Sequence, residues 1–535
     1  DSADYFLGGR DATWLAIGAS IFASNIGSEH LIGLAGAGAS SGMAMAHWEI
    51  QGWMILILGW VFVPFYTRSM VYTMPEFLER RYNPQSRTIL SVISLVSYVL
   101  TKVAVTVYAG GLVFQQVFGI KELWGIDFFW IAAIGLVVLT ALYTIFGGMK
   151  SVLYTSVLQT PILLLGSLII LVLGFKELGG WDEMMRVCGA VTVNDYGDTM
   201  TNLIRSNDDA NFPWLGALIG SAIIGFWYWC TDQFIVQRVL SGKNEMEARR
   251  GTIFGAYLKL LPVFLFLIPG MIAFALHQKY IGAGGEGFLP MLANGTANAD
   301  AAFPTLVAKL LPAGVKGLVV CGILAALMSS LASLFNSSAM LFTIDFYKRF
   351  KPETPEKKLV GIGQIATIVI VVLGILWIPI MRSVGDVLYT YLQDVQSVLA
   401  PGIAAAFLLG ICWKRTSAQG GMWGLISGMV IGLTRLGAKV YYSNAGEVAD
   451  STFKYLFYDM NWLFFCGWMF LFCIIVVIVV SLATEAPTAE KIQGLVFGTA
   501  TKKQKAATRA SWNHWDIIHT VIILAITAAF YWYFW

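Results

Sequence analysis

Between Ser24 and Gly38 the chain reads SNIGSEHLIGLAGAG inside an otherwise apolar run. Ser24, Asn25, Ser28, Glu29 and His30 fall within seven residues, and Gly27, Gly33, Gly36 and Gly38 surround them. A carboxylate or ammonium at mid-membrane costs about 2.5–3.5 kcal/mol on the insertion scale, so such residues mark sites. The same kind of intrusion recurs. MAHWEIQGW holds Glu49, SYVLTKVAVTVYAGG holds Lys102, and GFWYWCTDQF holds Tyr228, Trp229, Thr231, Asp232 and Gln233. GAYLKLLP holds Lys259, LMSSLASLFNSSAM holds Ser329, Ser330 and Ser333, and YTYLQDVQSV holds Gln393, Asp394 and Gln396.

The chemistry these side chains suit is binding. Carboxylate, amide, ammonium and imidazole groups beside tryptophan and tyrosine can meet hydroxyls that both donate and accept. Carbonyls freed at a helix break, together with serine hydroxyls, supply the several oxygens that a sodium ion needs. No Cys/His metal spacing, nucleophile elbow or pair of catalytic carboxylates is present, and the chain is not expected to be an enzyme. Some residues keep two readings. Glu49 lies between Trp48 and Trp53 and could be interfacial, Lys259 could snorkel from its span's end, and the serines could back-bond their own helix.

The elements that carry these residues follow from composition. Of 535 residues 57% are hydrophobic and only 13% charged, which demands a polytopic membrane protein. Runs such as PILLLGSLIILVLGF are apolar on every side, so the class is all-α. A net charge of +3 offers nothing to nucleic acid. Cysteines 188, 230, 321, 412, 466 and 473 form no CxxC pair and read as packing residues. Apolar runs divide the chain into about thirteen spans: 13–38, 43–67, 88–119, 126–147, 151–175, 212–240, 252–277, 302–346, 359–381, 386–413, 418–438, 460–483 and 513–535. The span at 302–346 is too long for one helix and should include an external piece. Gly147-Gly148 and Gly179-Gly180 read as helix ends.

Alternate loops concentrate lysine and arginine: Arg68 to Arg87, Lys150, Arg238 to Arg250, Lys348 to Lys358, Lys414 and Arg415, and Lys491 to Arg509. Loop 176–211 is acidic instead. This places residue 1 in the cytoplasm and residue 535 outside a plasma membrane crossed many times. The break expected at Asp232 lies five spans after the one at Gly27, the spacing of two inverted five-helix repeats. They would occupy 13–175 and 212–413, with additional C-terminal helices over 418–535. No nucleotide motif appears, so uphill work would draw on an ion gradient.

The stretches FASNIGSEHLIGLAGAG, YTMPEFLERRY, GGMKSVLYTSVLQT, WCTDQFIVQRVLSGKN, YLKLLP, LMSSLASLFNSSAMLFTIDFY and FLLGICWKR resemble the sodium/glucose cotransporter family of sodium:solute symporters over nearly the whole chain. The resemblance implies a leucine-transporter-type inverted-repeat fold with discontinuous first and sixth helices. It also implies sodium-coupled uptake of a neutral hexose, glucose or galactose, by a transporter functional as a monomer. Family members carry a further helix before the first broken one, so a helix before Asp1 is expected.

Carried over residue by residue, the sugar site comprises Asn25, His30, Glu49, Lys102, Tyr228, Trp229, Lys259 and Gln393. Tyr228 is then the inner gate, with Leu34 and Tyr389 on the outer one. Sodium maps to carbonyls of Ala23, Ile26 and Ala326 and hydroxyls of Ser329 and Ser330. At the second sodium site of two-sodium members an aspartate is replaced by Ser156 and a threonine by Ala332, so one sodium per sugar is expected. Myo-inositol, a sialic acid, or a sugar-gated sensor or channel are the alternatives. Glu29 has no assigned partner.

Overall fold

The computed structural model describes residues 2–27, 29–292, 295–384, 388–444 and 449–535. Side chains at 99–101, 112, 378–391, 393–394, 440 and 443–444 are outside that set. Among the described residues nine helices are long and apolar enough to cross a membrane, and Trp14–Asn25 and Ala104–Phe118 are shorter apolar helices. The only named strands there are Glu122–Leu123 and Ile126–Asp127, a short antiparallel pair.

Phe128–Leu178 runs for 51 residues. At 1.5 Å per residue it is about 76 Å long, more than twice a hydrocarbon core of about 30 Å. It is therefore two crossings, divided at Gly148, whose φ of 55° and ψ of −149° are non-helical. Only glycine fits there, because a Cβ would strike the Tyr5 carbonyl. The 302–346 span likewise divides, with Ala302–Leu310 ending before Pro312 and Ala313–Met340 following.

Helices approach closely where glycines face each other or a backbone, the packing expected where hydrophobic burial cannot drive association in lipid. Trp14–Asn25 lies on Glu245–Lys259 through Gly18 against Phe254, Gly251 against Ile17 and Gly255 against Ile21. The outer part of the first span, Ala35–Ser40, meets Ile268–Gly282 more tightly still. A Cβ at Gly38 would fall on the Leu267 carbonyl, and one at Gly270 on the Ala35 carbonyl. Around this core, exposed apolar side chains such as Val138, Leu158, Ile368, Leu376, Ile475 and Val521 form the face for lipid.

Because backbone atoms rather than flexible side chains oppose it, Gly270→Leu should cost more than the usual 1–3 kcal/mol of overpacking, roughly. We expect a clear drop in the thermal unfolding midpoint of detergent-purified protein. Gly314→Ala, with nothing within 4 Å, should leave that midpoint unchanged.

Candidate functional site

The polar residues singled out above sit where helices are interrupted. Asn25 ends Trp14–Asn25, and Ile26 then turns extended at φ −77°, ψ 108°. His30 lies on the wide, π-type turn Glu29–Leu34, as Lys102 does on Tyr98–Val103 and Tyr228 and Trp229 do on Phe226–Thr231. Asp232 follows in extended geometry and caps Gln233–Leu240. Glu49 closes Ala46–Glu49, and Lys259 closes Glu245–Lys259 three residues before Pro262. A π-turn or break re-aims side chains and frees carbonyls, and a cation at a helix C-terminus is favoured by the dipole.

These interruptions bring residues far apart in sequence into one chain of hydrogen bonds. Lys259 Nζ donates to Glu49 Oε2 at 2.6 Å and to Asn25 Oδ1 at 3.1 Å. Asn25 Nδ2 donates to the Tyr228 hydroxyl at 3.1 Å, and His30 Nε2 to Glu49 Oε2 at 3.1 Å. Trp229 lies 5.3 Å beneath the Lys259 ammonium, and its Nε1 donates to Gln51 Oε1 at 3.3 Å. Asn25, His30, Glu49, Tyr228, Trp229 and Lys259 line one cavity of about 50 Å³, joined by Glu29, Trp48, Gln51 and Gln396. That volume holds a few waters, whereas ligand sites commonly run to about 300–1,000 Å³. The polar groups bond one another across it, so anything larger than a few waters has to part some of these contacts.

Lys102 is placed elsewhere. Its ammonium donates to Asp232 Oδ2 at 2.8 Å, and Asp232 Oδ1 accepts the Tyr98 hydroxyl. Asp232 is buried and needs a positive partner, which draws Lys102 away from the cavity. Lys102 still bears on the site, since it sits 4.7 Å from the centre of the Tyr228 ring, below the cavity. Leu34 is buried on the Glu29–Leu34 turn. The side chains of Tyr389 and Gln393, both on Leu388–Cys412, lie outside the described residues.

On the other side of the Gly27 break, the first span meets Ala313–Met340. Ser24 and Ser333 hydroxyls bond each other, and a Cβ on Gly27 would lie 3.0 Å from Ser330 Oγ. Ser329 donates to Gln159 Oε1, and Ala326, Ser329 and Ser330 are all buried. The Phe22 carbonyl takes the Ile26 N–H, which leaves those of Ala23, Ser24 and Asn25 past the end of the helical ladder. Serine hydroxyls thus gather at the break that frees these carbonyls, and oxygens of both kinds suit a small hard cation. Ser156 faces the same helix lower down, 3.5 Å from Ser20 Oγ, with its hydroxyl bonded to the Val152 carbonyl at 2.6 Å.

Toward the end of the molecule that carries the basic loops, the helices are laced together. Met74 N–H donates to Gln233 Oε1 at 2.8 Å, Gln237 Nε2 to the Phe6 carbonyl at 2.7 Å, and Ser337 to Gln237 Oε1 at 2.8 Å. Arg87 Nε bonds Asp345 at 2.7 Å, which also accepts the Thr73 hydroxyl at 2.9 Å. These bonds tie the spans to one another at that end.

A model of the sodium:solute symporter family matches residues 5–428. The chain belongs to that family. Human sodium/myo-inositol cotransporter 2 is 37% identical over 508 residues, covering 92% of this chain and 74% of the relative. Sheep sodium/glucose cotransporter 1 is 38% identical over 499 residues, covering 90% and 74%. Among solved structures, a Na+-coupled sialic acid symporter in a substrate-bound outward-open state superposes with a TM-score of 0.72 at 22% identity, covering 91% of this chain and 93% of that one. MhsT in complex with L-phenylalanine gives 0.50 at 12% identity. The symporter thus has the all-α, leucine-transporter-type fold, interrupted in its first and sixth spans, and sodium is the coupling ion.

The sequence pattern assigned no ligand role to four polar or aromatic residues of the symporter's cavity: Glu29, Trp48, Gln51 and Gln396. Gln51 could have been found from Gly225, since a Cβ there would clash with the Gln51 amide. The break after Lys259 had a signal too, in Pro262. For the buried pair, Lys102→Met alone should destabilise by about 3–5 kcal/mol by stranding Asp232. Lys102→Met combined with Asp232→Asn should recover much of that loss, because the amide still accepts from Tyr98. Unfolding midpoints of the two variants check it.

Proposed function

We propose that this symporter imports a neutral polyhydroxy ring solute with one sodium ion by alternating access. The observation that carries it is the Tyr228–Asn25–Lys259–Glu49–His30 chain, which pairs Lys259 with Glu49 and leaves amide, phenol and imidazole groups to match hydroxyls over the Trp229 ring. Gln393 adds an amide from the tenth span. A neutral hexose, glucose or galactose, meets this set. The 37% identity to a sodium/myo-inositol cotransporter favours a cyclitol as a second reading.

Sodium would bind carbonyls of Ala23, Ile26 and Ala326 and hydroxyls of Ser329 and Ser330. The facing of Gly27 and Ser330 supports this, since an ion there bridges two helices. Bound sodium holds the first span against Ala313–Met340 with the solute site formed. Solute then closes the Leu34/Tyr389 side, the basic end unlaces, and sodium leaves before solute passes Tyr228. Lys102 acts through Tyr228, whose ring it braces. Spans 13–175 and 212–413 serve as the two inverted repeats, with residue 1 and the basic loops in the cytoplasm, residue 535 outside, and the monomer as the working unit. Hydroxyls at Ser156 supply one oxygen where a second sodium would need a carboxylate, so one ion is coupled. The membrane potential contributes about 2.3 kcal/mol per 100 mV and a tenfold sodium gradient about 1.4, enough for several hundred-fold accumulation.

In proteoliposomes we expect sodium-dependent uptake with a charge-to-solute ratio near one; a ratio near two would refute single-ion coupling. Ser330→Ala should raise the sodium concentration for half-activation severalfold, and unchanged activation would remove Ser330 from the site. Lys259→Met should lower solute uptake at least tenfold by leaving Glu49 unpaired, roughly the cost of one buried charge-assisted bond. Labelled-solute counterflow separates transport from sensing, since a sensor shows none.

A further inference from the structure

Two buried polar atoms on the solute cavity have no partner, and half-buried Glu29 lies beside them. Glu29 accepts no hydrogen bond from any described residue and forms no ion pair, although it lines the cavity beside Asn25, His30 and Lys259. His30 uses Nε2 on Glu49, while its buried Nδ1 has no partner. Trp48 Nε1 is likewise buried and unpartnered, and Trp48 lines the same cavity. Buried polar atoms without partners cost about 1–3 kcal/mol each, so natural sites keep them for something that arrives.

What arrives is constrained by their chemistry. A carboxylate only accepts, an indole N–H only donates, and an imidazole nitrogen does one or the other. A hydroxyl satisfies either kind of group, and one hydroxyl can donate to a carboxylate while accepting from an N–H. A ring ether oxygen has no proton and can serve only the indole. Lys259 and Glu49 pair with each other at 2.6 Å, and Glu29 is a cavity carboxyl with no ion-pair partner among the described residues.

We propose that Glu29 sets the symporter's solute selectivity by accepting a hydrogen bond from a ring hydroxyl. This rests on the reading of the cavity as the site of a neutral polyhydroxy solute, and of that reading's two solutes it favours the cyclitol over the hexose. A cyclitol carries a hydroxyl at every ring carbon and meets Glu29 in any rotation within the cavity. An aldopyranose presents an acceptor-only ring oxygen at one ring position and satisfies Glu29 in fewer orientations. An anionic sugar acid sets its own carboxylate against the unpaired Glu29 carboxyl and is disfavoured.

The test is uptake by proteoliposomes holding the full chain, with labelled myo-inositol and D-glucose as probes and D-glucuronate as competitor. Wild type should prefer myo-inositol by about tenfold in apparent affinity, the span of one hydrogen bond to a charged group, and ignore glucuronate. Glu29→Gln should weaken myo-inositol by about tenfold or more, shrink the preference over glucose, and let glucuronate compete. Glu29→Asp should keep the order of preference. A sodium-induced rise in unfolding midpoint, read without solute, reports that each variant is folded. Wild-type uptake with equal affinity for both probes overturns the role of Glu29, whatever the variants do. So does a Glu29→Gln protein, folded by the sodium readout, with an unchanged ratio. Sodium-dependent uptake of neither probe overturns the functional reading itself, and this inference with it.

Discussion

The contact between Lys259 and Glu49 is the constraint around which the centre of the molecule is arranged. Both groups are buried, and neither tolerates loss of the other. Their 2.6 Å contact fixes the spacing between the second and seventh spans. Asn25 and His30 then attach the first span to the same pair, and Tyr228 attaches the sixth through Asn25. Four spans are tied to one ion pair by single hydrogen bonds, each replaceable by a solute hydroxyl of similar strength.

Interrupted helices are the means by which those groups reach one another. A straight helix buries its own carbonyls in its ladder and points its side chains by a fixed rotation. Ending Trp14–Asn25 at a residue whose amide bonds Tyr228 frees carbonyls at the same break where Gly27 lies against Ser330.

Much of this was legible in the sequence because charge and amide groups are rare at lipid depth. Asn25, His30, Glu49, Tyr228, Trp229 and Lys259 stand out by type alone, and the structure gathers them at one cavity. What could not be read is which buried charge meets which. Lys102 and Asp232 are separated by 130 residues, and their pairing depends on how two spans cross, a distance no local pattern encodes. Gln51 escaped for a related reason: its importance lies in the absence of a side chain on Gly225. The division of Phe128–Leu178 was visible as Gly147-Gly148, since a positive φ leaves a glycine signature, whereas the lacing at Gln233 and Gln237 uses ordinary helix-forming residues with no signature at all.

The meeting of Gly38 with Leu267 and of Gly270 with Ala35 has a mechanical consequence. With no side chains between the two backbones, there is no layer of rotamers to shear, and any sliding drives carbonyl oxygens into Cα atoms. The outer half of the first span and the outer half of the seventh form a welded two-rod lever. A tilt at the Gly27 break is therefore delivered to the far side of the cavity undiminished, and the lever's fulcrum lies at the two interruptions that hold Asn25 and Lys259.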